Sequence, residues 1–154
     1  MKNLISKIEL KKAKIGIVGL GYVGLPLVSE FLSNGFEVIG IDKDQSKIDA
    51  LNDRKSYIAH INSKFISKYL SKSLTVSTDI SSLKNADVII LCLPTPLKEN
   101  YEPEMKYVFD TIEELIPFLN NGQALCLEST TYPGTTSEDI FEKLKKTKLK
   151  IGED

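Results

Sequence analysis

The chain has 154 residues, 42% hydrophobic and 27% charged, a composition typical of one soluble globular domain. Lys plus Arg number 20 and Asp plus Glu 21, so the formal net charge of −1 lacks the basic excess that a nucleic-acid or membrane-surface binder needs. No run reaches the roughly 18 apolar residues of a membrane helix, and no secretory leader is recognisable, so we expect a cytoplasmic protein.

The two cysteines, Cys92 and Cys126, each lie inside an apolar run. This position predicts buried free thiols, because cysteine without a disulfide packs as a small apolar side chain. No spacing of residues suggests a disulfide framework or a metal site. Residues 1–13 are rich in lysine and form either a short helix or a loose arm, and we expect the domain itself to cover residues 14–154.

From residue 14 onward, strand patterns alternate with helix patterns. The predicted strands cover residues 14–19, 36–41, 74–76, 86–93 and 123–127, with one more beginning at 149–151. The predicted helices cover residues 22–34, 46–53, 62–70, 105–119 and 136–146, and Pro117 should disturb the last turn of the fourth. The run 86–93 is the most apolar and predicts a central strand buried on both faces. This alternation predicts an α/β fold with a doubly wound parallel sheet.

The segment from Gly19 to Gly24 has the spacing G-x-G-x-x-G between a predicted strand and a predicted helix. Gly19 permits a tight turn, Gly21 allows a pyrophosphate to approach the backbone, and Gly24 lets the helix pack close to the sheet. The helix N-terminus offers N–H groups and a partial positive charge to that anion. The spacing therefore predicts a Rossmann dinucleotide site, the alternative being a glycine-rich turn that binds nothing.

Asp42 ends the second predicted strand, about 18 residues after Gly24. A carboxylate there can accept hydrogen bonds from the adenosine ribose, and it would repel a 2′-phosphate. NAD is therefore favoured over NADP, although the adjacent Lys43 weakens that preference slightly. If the glycine turn binds nothing, Asp42 is simply solvated.

Two later loops should reach the same edge of the sheet. Thr95 lies between two prolines after the strand 86–93, and Thr130 and Thr131 follow the strand 123–127. We expect these three threonines to converge with the glycine turn, the alternative being ordinary turn chemistry. Thr135 and Thr136 precede a helix, which favours ordinary turn and helix-cap chemistry for both. The one histidine, His60, has apolar neighbours, which favours a packed structural role.

Four segments carry a resemblance to a known family: residues 19–26 (GLGYVGLP), 56–61 (SYIAHI), 93–97 (LPTPL) and 128–136 (ESTTYPGTT). From about residue 14 onward the chain resembles the N-terminal NAD-binding domain of the UDP-glucose/GDP-mannose dehydrogenase family. Within that family it looks most like the enzymes that oxidise UDP-N-acetyl-hexosamines at C6 for surface polysaccharides. The last two segments are far more specific than the glycine spacing.

The resemblance implies roles for individual residues. It places Tyr22 and Val23 on the pyrophosphate, Asp42 on the adenosine ribose and Lys47 beside that ribose, where the family often has arginine. It also implies that Leu93, Thr95 and Thr130 line the cofactor. Thr131 corresponds to a threonine that helps to hold the catalytic water, and Glu128 belongs to the same neighbourhood.

The family reaction is a double oxidation of an alcohol to a carboxylate, with a thioester formed on a cysteine. In the family, that cysteine, its assisting lysine and asparagine, and most sugar-nucleotide contacts come later than residue 154. We therefore expect a fragment of a longer enzyme, truncated before the central helix and the sugar-nucleotide domain. It should bind NAD without turnover, and the full-length enzyme should be a homodimer or larger. Alternatives are a non-catalytic NAD sensor and a dehydrogenase of another class, such as 3-hydroxy acids.

Overall fold

The computed structural model describes residues 2–99 and 101–152, and it consists of one parallel sheet with helices on both faces. The strands are β1 (Lys14–Val18), β2 (Glu37–Ile41), β3 (Leu74–Ser77), β4 (Val88–Leu91) and β5 (Ala124–Leu127). The α-helices are α1 (Lys2–Glu9), α2 (Gly24–Ser33), α3 (Gln45–Asn52), α4 (Ser63–Tyr69), α5 (Lys106–Leu115) and α6 (Phe141–Leu144). Two 3₁₀-helices (Ile80–Asn85 and Ile116–Phe118) and a π-helix (Thr135–Ile140) complete the elements.

The strand order is β3-β2-β1-β4-β5, and all pairings are parallel. The chain winds outward from β1 through β2 to β3 and then returns past β1 to β4, so the order reverses between β1 and β4. This arrangement confirms the predicted doubly wound sheet. All four residues of β4 are buried, as expected of a central strand with helices on both faces.

The period-2 alternation of the strands divides the core into two clusters. Ile15, Ile17 and Ile90 belong to the cluster that packs against α2, α3 and α4. Ile89 and Leu91 belong to the cluster that packs against α5 and the first 3₁₀-helix. Both faces of the sheet are therefore covered by helices. Among residues 2–99 and 101–152, no helix is long and apolar enough to cross a membrane.

Several predicted elements differ from the structure at the two ends of the chain. Residues 149–151 form no strand, because the segment after α6 tightens into turns in which the Thr147 hydroxyl donates to Leu144 O (2.7 Å). The predicted helix 136–146 is realised as the π-helix followed by α6. At the other end, the helical alternative for residues 1–13 is realised by α1. Met1, Glu153 and Asp154, which fall in the predicted arm and domain, lie outside the described residues.

Two side-chain predictions also need correction, and one local prediction is confirmed. His60 is exposed, so the predicted packed role is wrong; the buried anchors of its segment are Ile58 and Ile61. Cys92 and Cys126 are free thiols as expected but only half-buried. The 3₁₀-helix before β4 has no counterpart among the predicted elements. Pro117 does end the regular part of its helix, since the backbone passes from α5 into a 3₁₀-helix at Ile116.

Candidate cofactor site

Four strands deliver chemically distinctive segments to one edge of the sheet, which we call the cofactor edge. Residues 19–24, the glycine turn, follow β1, and Asp42 follows β2. Residues 92–97 follow β4, and residues 128–134 follow β5. Because the strands are parallel, their carboxyl ends lie on the same side, where ligands of such sheets bind.

The three glycines of the glycine turn have different surroundings. Gly19 has a φ of 91°, and a Cβ there would lie 2.3 Å from the Cys92 carbonyl oxygen. A Cβ on Gly24 would lie 1.7 Å from the Gly19 oxygen. A Cβ on Gly21 would meet nothing within 4 Å. The fold itself therefore requires Gly19 and Gly24, whereas Gly21 leaves open space at the backbone.

The glycine turn leads directly into the N-terminus of α2. Within the described part of the chain, Val23 makes no side-chain capping hydrogen bond to this terminus. Tyr22 is 86% exposed and Val23 is 52% exposed, so neither side chain is packed into the core. Pro26 lies in the first turn, where a missing N–H costs no helical hydrogen bond. A helix N-terminus beside an open glycine is the kind of arrangement that suits an anion.

Asp42 is buried, and its carboxylate is held by three hydrogen bonds. Its Oδ2 accepts from the Leu20 N–H at 2.8 Å and from Lys47 Nζ at 2.9 Å. Its Oδ1 accepts from the Asp44 N–H at 2.9 Å. The carboxylate is thus fixed at the end of β2 and tied to the glycine turn. The alternative of a merely solvated Asp42 is therefore wrong.

A cavity of about 310 Å³, the edge cavity, lies beside Asp42. Residues at the ends of β1, β2 and β4 line it, together with Tyr107, Thr111 and Glu114 of α5. Glu114 accepts a hydrogen bond from Lys43 Nζ at 2.7 Å across the rim. The sequence did not identify these α5 residues as cavity residues. Hydrophobic periodicity identifies the buried face of a helix, but it does not show which cavity the side of the helix borders.

The loops after β4 and β5 are joined by a hydrogen bond from the Leu93 N–H to the Ser129 hydroxyl (2.9 Å). The sequence predicted roles in the site for the threonines that follow Ser129, but none for Ser129 itself. The bond fixes the segment that carries Thr95 to the one that carries Thr130 and Thr131. Thr95 and Thr131 are half-buried and Thr130 is exposed. The two loops are therefore neighbours at the cofactor edge, as the strand order required.

Thr135, Thr136 and Glu128 lie in the same segment as Thr131. Thr135 is buried, and its hydroxyl donates to the Tyr132 carbonyl (2.8 Å), so it stabilises the turn. The π-helix begins after Gly134 without a side-chain cap among the described residues, so Thr135 has the expected turn role but not the expected capping role. Thr136 and Glu128 are exposed.

Cys92 lies one residue beyond β4, beside the glycine turn. Burial, and then the charge of Glu128, raise the pKa of its thiol to about 11. The same two causes raise the pKa of Cys126. Since the thiolate is the reactive form, both cysteines are poor nucleophiles at neutral pH.

The parallel sheet, the glycine turn and the fixed Asp42 together define a dinucleotide-binding Rossmann domain. Comparison with known families makes the class specific. The model of the UDP-glucose/GDP-mannose dehydrogenase family, NAD binding domain, matches residues 13–153. The chain belongs to this family, and NAD is the cofactor of the domain.

Individual relatives agree with this assignment. A UDP-N-acetyl-D-mannosamine dehydrogenase of Methanococcus maripaludis is 35% identical over 139 residues, which are 86% of this chain and 32% of the relative. A UDP-N-acetyl-D-glucosamine 6-dehydrogenase of Pseudomonas aeruginosa is 32% identical over 146 residues, covering 94% and 34%. The solved UDP-N-acetyl-mannosamine dehydrogenase of S. aureus superposes with a TM-score of 0.84 at 31% identity, covering 92% and 34%. The chain thus spans about a third of the length of the relatives it matches.

Proposed function

We propose that this chain is the NAD-binding domain of a UDP-N-acetyl-hexosamine 6-dehydrogenase. Such an enzyme oxidises the C6 alcohol of its sugar to a carboxylate in two steps that remove four electrons, and the resulting uronic acid serves surface polysaccharide synthesis. The observation that carries the proposal is the hydrogen bond from the Leu93 N–H to the Ser129 hydroxyl. This hydrogen bond joins the loops of Thr95 and Thr131 at the cofactor edge. A protein that bound only the adenosine half of the cofactor would not need these two loops to be joined.

The adenosine half of NAD fits the groups around the glycine turn. The open backbone at Gly21 leaves room for the pyrophosphate, with Tyr22 and Val23 at the helix terminus contacting it. The edge cavity takes the adenosine, and Asp42 accepts from its ribose hydroxyls. Lys47, which lines the same cavity, lies beside that ribose and pairs with Asp42 at 2.9 Å. The carboxylate of Asp42 would repel the negative charge of a 2′-phosphate, so the site favours NAD over NADP.

The nicotinamide half extends toward the two joined loops, and bound NAD supplies the hydride acceptor. Leu93, Thr95 and Thr130 line this end and exclude solvent from one side. Thr131 holds a water molecule by its hydroxyl, which can both donate and accept a hydrogen bond. These residues bind and orient; none of them provides a nucleophile.

The chain alone binds NAD without turnover. The covalent step of this chemistry needs an activated thiol, and Cys92 and Cys126 have raised pKa values that keep them protonated. We place the nucleophile and most contacts to the UDP-sugar in the part of the relatives' length that this chain does not span. We also propose that the full-length enzyme acts in the cytoplasm as a homodimer or larger assembly.

Calorimetric titration of the 154-residue chain tests the proposal. NAD should bind with a dissociation constant below about 1 mM, and NADP at least about tenfold more weakly. With UDP-N-acetyl-hexosamines and NAD present, no NADH should form. Failure to bind NAD at millimolar concentration would contradict the cofactor assignment, and sustained NADH formation would contradict the assignment of the nucleophile to another segment.

A further inference from the structure

The backbone groups of Leu20, at the centre of the glycine turn, are both held by side chains from outside the turn. The Leu20 N–H donates to Asp42 Oδ2 at 2.8 Å. The Leu20 carbonyl accepts from the Tyr57 hydroxyl at 2.7 Å. The Leu20 side chain itself is fully buried. The residue is therefore fixed from three directions.

These two hydrogen bonds fix two successive peptide planes. The N–H of Leu20 belongs to the Gly19–Leu20 peptide, and its carbonyl belongs to the Leu20–Gly21 peptide. A trans peptide is planar, with its C=O and N–H pointing in opposite directions. When Tyr57 holds the Leu20 carbonyl, it therefore also sets the direction of the Gly21 N–H, at the glycine whose backbone is open.

Tyr57 lies beside a buried residue, although it is itself 37% exposed. It lies in the connection between α3 and α4, next to Ile58, which is 5% exposed in the core beneath it. Burial, and then the charges of Asp42 and Asp44, raise the pKa of its hydroxyl above the usual value near 10. The hydroxyl thus stays protonated and remains a donor to the Leu20 carbonyl throughout the neutral range.

We propose that Tyr57 is a positioning residue that locks the Leu20–Gly21 peptide plane, so that the glycine turn is already shaped for a pyrophosphate before NAD binds. This role rests on the proposed binding of NAD at the glycine turn. It gives a purpose to the Ser56–Ile61 segment, which otherwise has no assigned part in the site. A preset turn binds more tightly because less conformational freedom is lost on binding.

The substitution Tyr57→Phe removes the hydroxyl and keeps the ring. Titration with NAD and with ADP, which both contain the pyrophosphate, should show binding weakened about three- to tenfold, the usual worth of one hydrogen bond. Adenosine, which lacks the pyrophosphate, should bind unchanged. Tyr69→Phe is the matched control, because Tyr69 is a half-buried tyrosine of α4. It should leave all three affinities unchanged.

Equal weakening of adenosine and ADP, or no weakening of either, would overturn the positioning role. Absence of NAD binding by the unsubstituted chain would instead overturn the proposed function on which it rests. A second measurement needs no variant: the Gly21 amide resonance of the unsubstituted chain should be single without ligand, as a fixed plane requires. Two exchanging Gly21 resonances that merge when ADP is added would show that the ligand sets the plane, and would contradict the proposal.

Discussion

Gly21 and Gly24 lie three residues apart in one turn, but the space around their Cα atoms is very different. A Cβ on Gly21 would have open space around it to 4 Å, and the φ of Gly21 lies outside the left-handed region. A Cβ on Gly24 would collide with the Gly19 oxygen at 1.7 Å. Gly24 thus serves the packing of α2 on the sheet, whereas the open space at Gly21 supports the proposed approach of a ligand.

The variant Gly21→Ala should keep its stability and lose cofactor affinity. We expect a free energy of unfolding within about 0.5 kcal/mol of the parent, since the new methyl group meets no protein atom. NAD should bind at least about tenfold more weakly, because the methyl group occupies the approach of the pyrophosphate. Urea denaturation and calorimetric titration measure the two effects separately.

Gly24→Ala provides the contrast within the same turn. It should cost about 3 kcal/mol or more in urea denaturation, since two backbone segments must separate to admit the methyl group. A Gly21→Ala variant that binds NAD as tightly as the parent would show that the pyrophosphate lies elsewhere. Similar losses of stability in both variants would contradict the contacts described for the turn.

At the scale of elements, α1 is attached to the sheet through Asp87, the residue before β4. One carboxylate oxygen accepts from Lys7 Nζ of α1 (2.5 Å), and the other accepts from the Lys14 N–H at the start of β1 (2.9 Å). Burial alone would raise the pKa of Asp87, but the hydrogen bonds from Lys7 and Lys14 outweigh it and hold the pKa below its usual value. The carboxylate therefore links α1 to two strands.

The variant Asp87→Asn should lower the free energy of unfolding at pH 7 by about 1 kcal/mol, the usual scale for one partly exposed ion pair with a hydrogen bond. Because the folded-state pKa is lowered, this stabilisation is present above the unfolded pKa near 4 and is lost as the pH falls through the folded value. The difference from the parent should thus shrink below about pH 4.

Urea denaturation of both proteins across this pH range measures the difference. Asp53→Asn is the control, since Asp53 pairs with Lys55 at an exposed site (3.2 Å) and should change stability by less than about 0.5 kcal/mol. A difference at Asp87 that grew on acidification would contradict the ionised role given to its carboxylate.

Elements that a local pattern of apolar residues or glycines specifies were predictable from the sequence. Features that depend on partners far away in the chain were not. The apolar run around β4 and the glycine spacing identified the sheet and the cofactor edge. Residues 149–151 have a strand-like sequence but form turns, because a strand also needs a paired neighbour. Ser129 and Tyr57 were missed as site residues because their partners, Leu93 and Leu20, lie 36 and 37 positions away.

For the whole molecule, the cofactor edge joins segments that are far apart in the chain. The glycine turn, Asp42 and the loop of Leu93 come from three strands on which both core clusters pack. A ligand that contacts all of these segments binds only when the sheet is assembled, and it has no such site in the unfolded chain. Cofactor binding and global stability should therefore be coupled.

This coupling predicts a thermal shift that depends on the concentration of NAD. At 100 times its dissociation constant, NAD should stabilise the folded chain by about 2.7 kcal/mol. For a chain of this size, that corresponds to a rise in Tm of about 5–10 °C. NADP at the same concentration should produce a clearly smaller rise, because Asp42 disfavours its phosphate. Scanning calorimetry gives both values.

The Gly21→Ala variant separates this coupling from non-specific effects of a charged nucleotide. Its own Tm without NAD should lie within about 2 °C of that of the parent. At the same NAD concentration its rise should fall by at least about 3 °C, since tenfold weaker binding removes about 1.4 kcal/mol of stabilisation. An equal rise in parent and variant would show that NAD stabilises the chain without entering the glycine turn. The smaller rise expected in the variant would link the open backbone at Gly21 to the stability of the entire sheet.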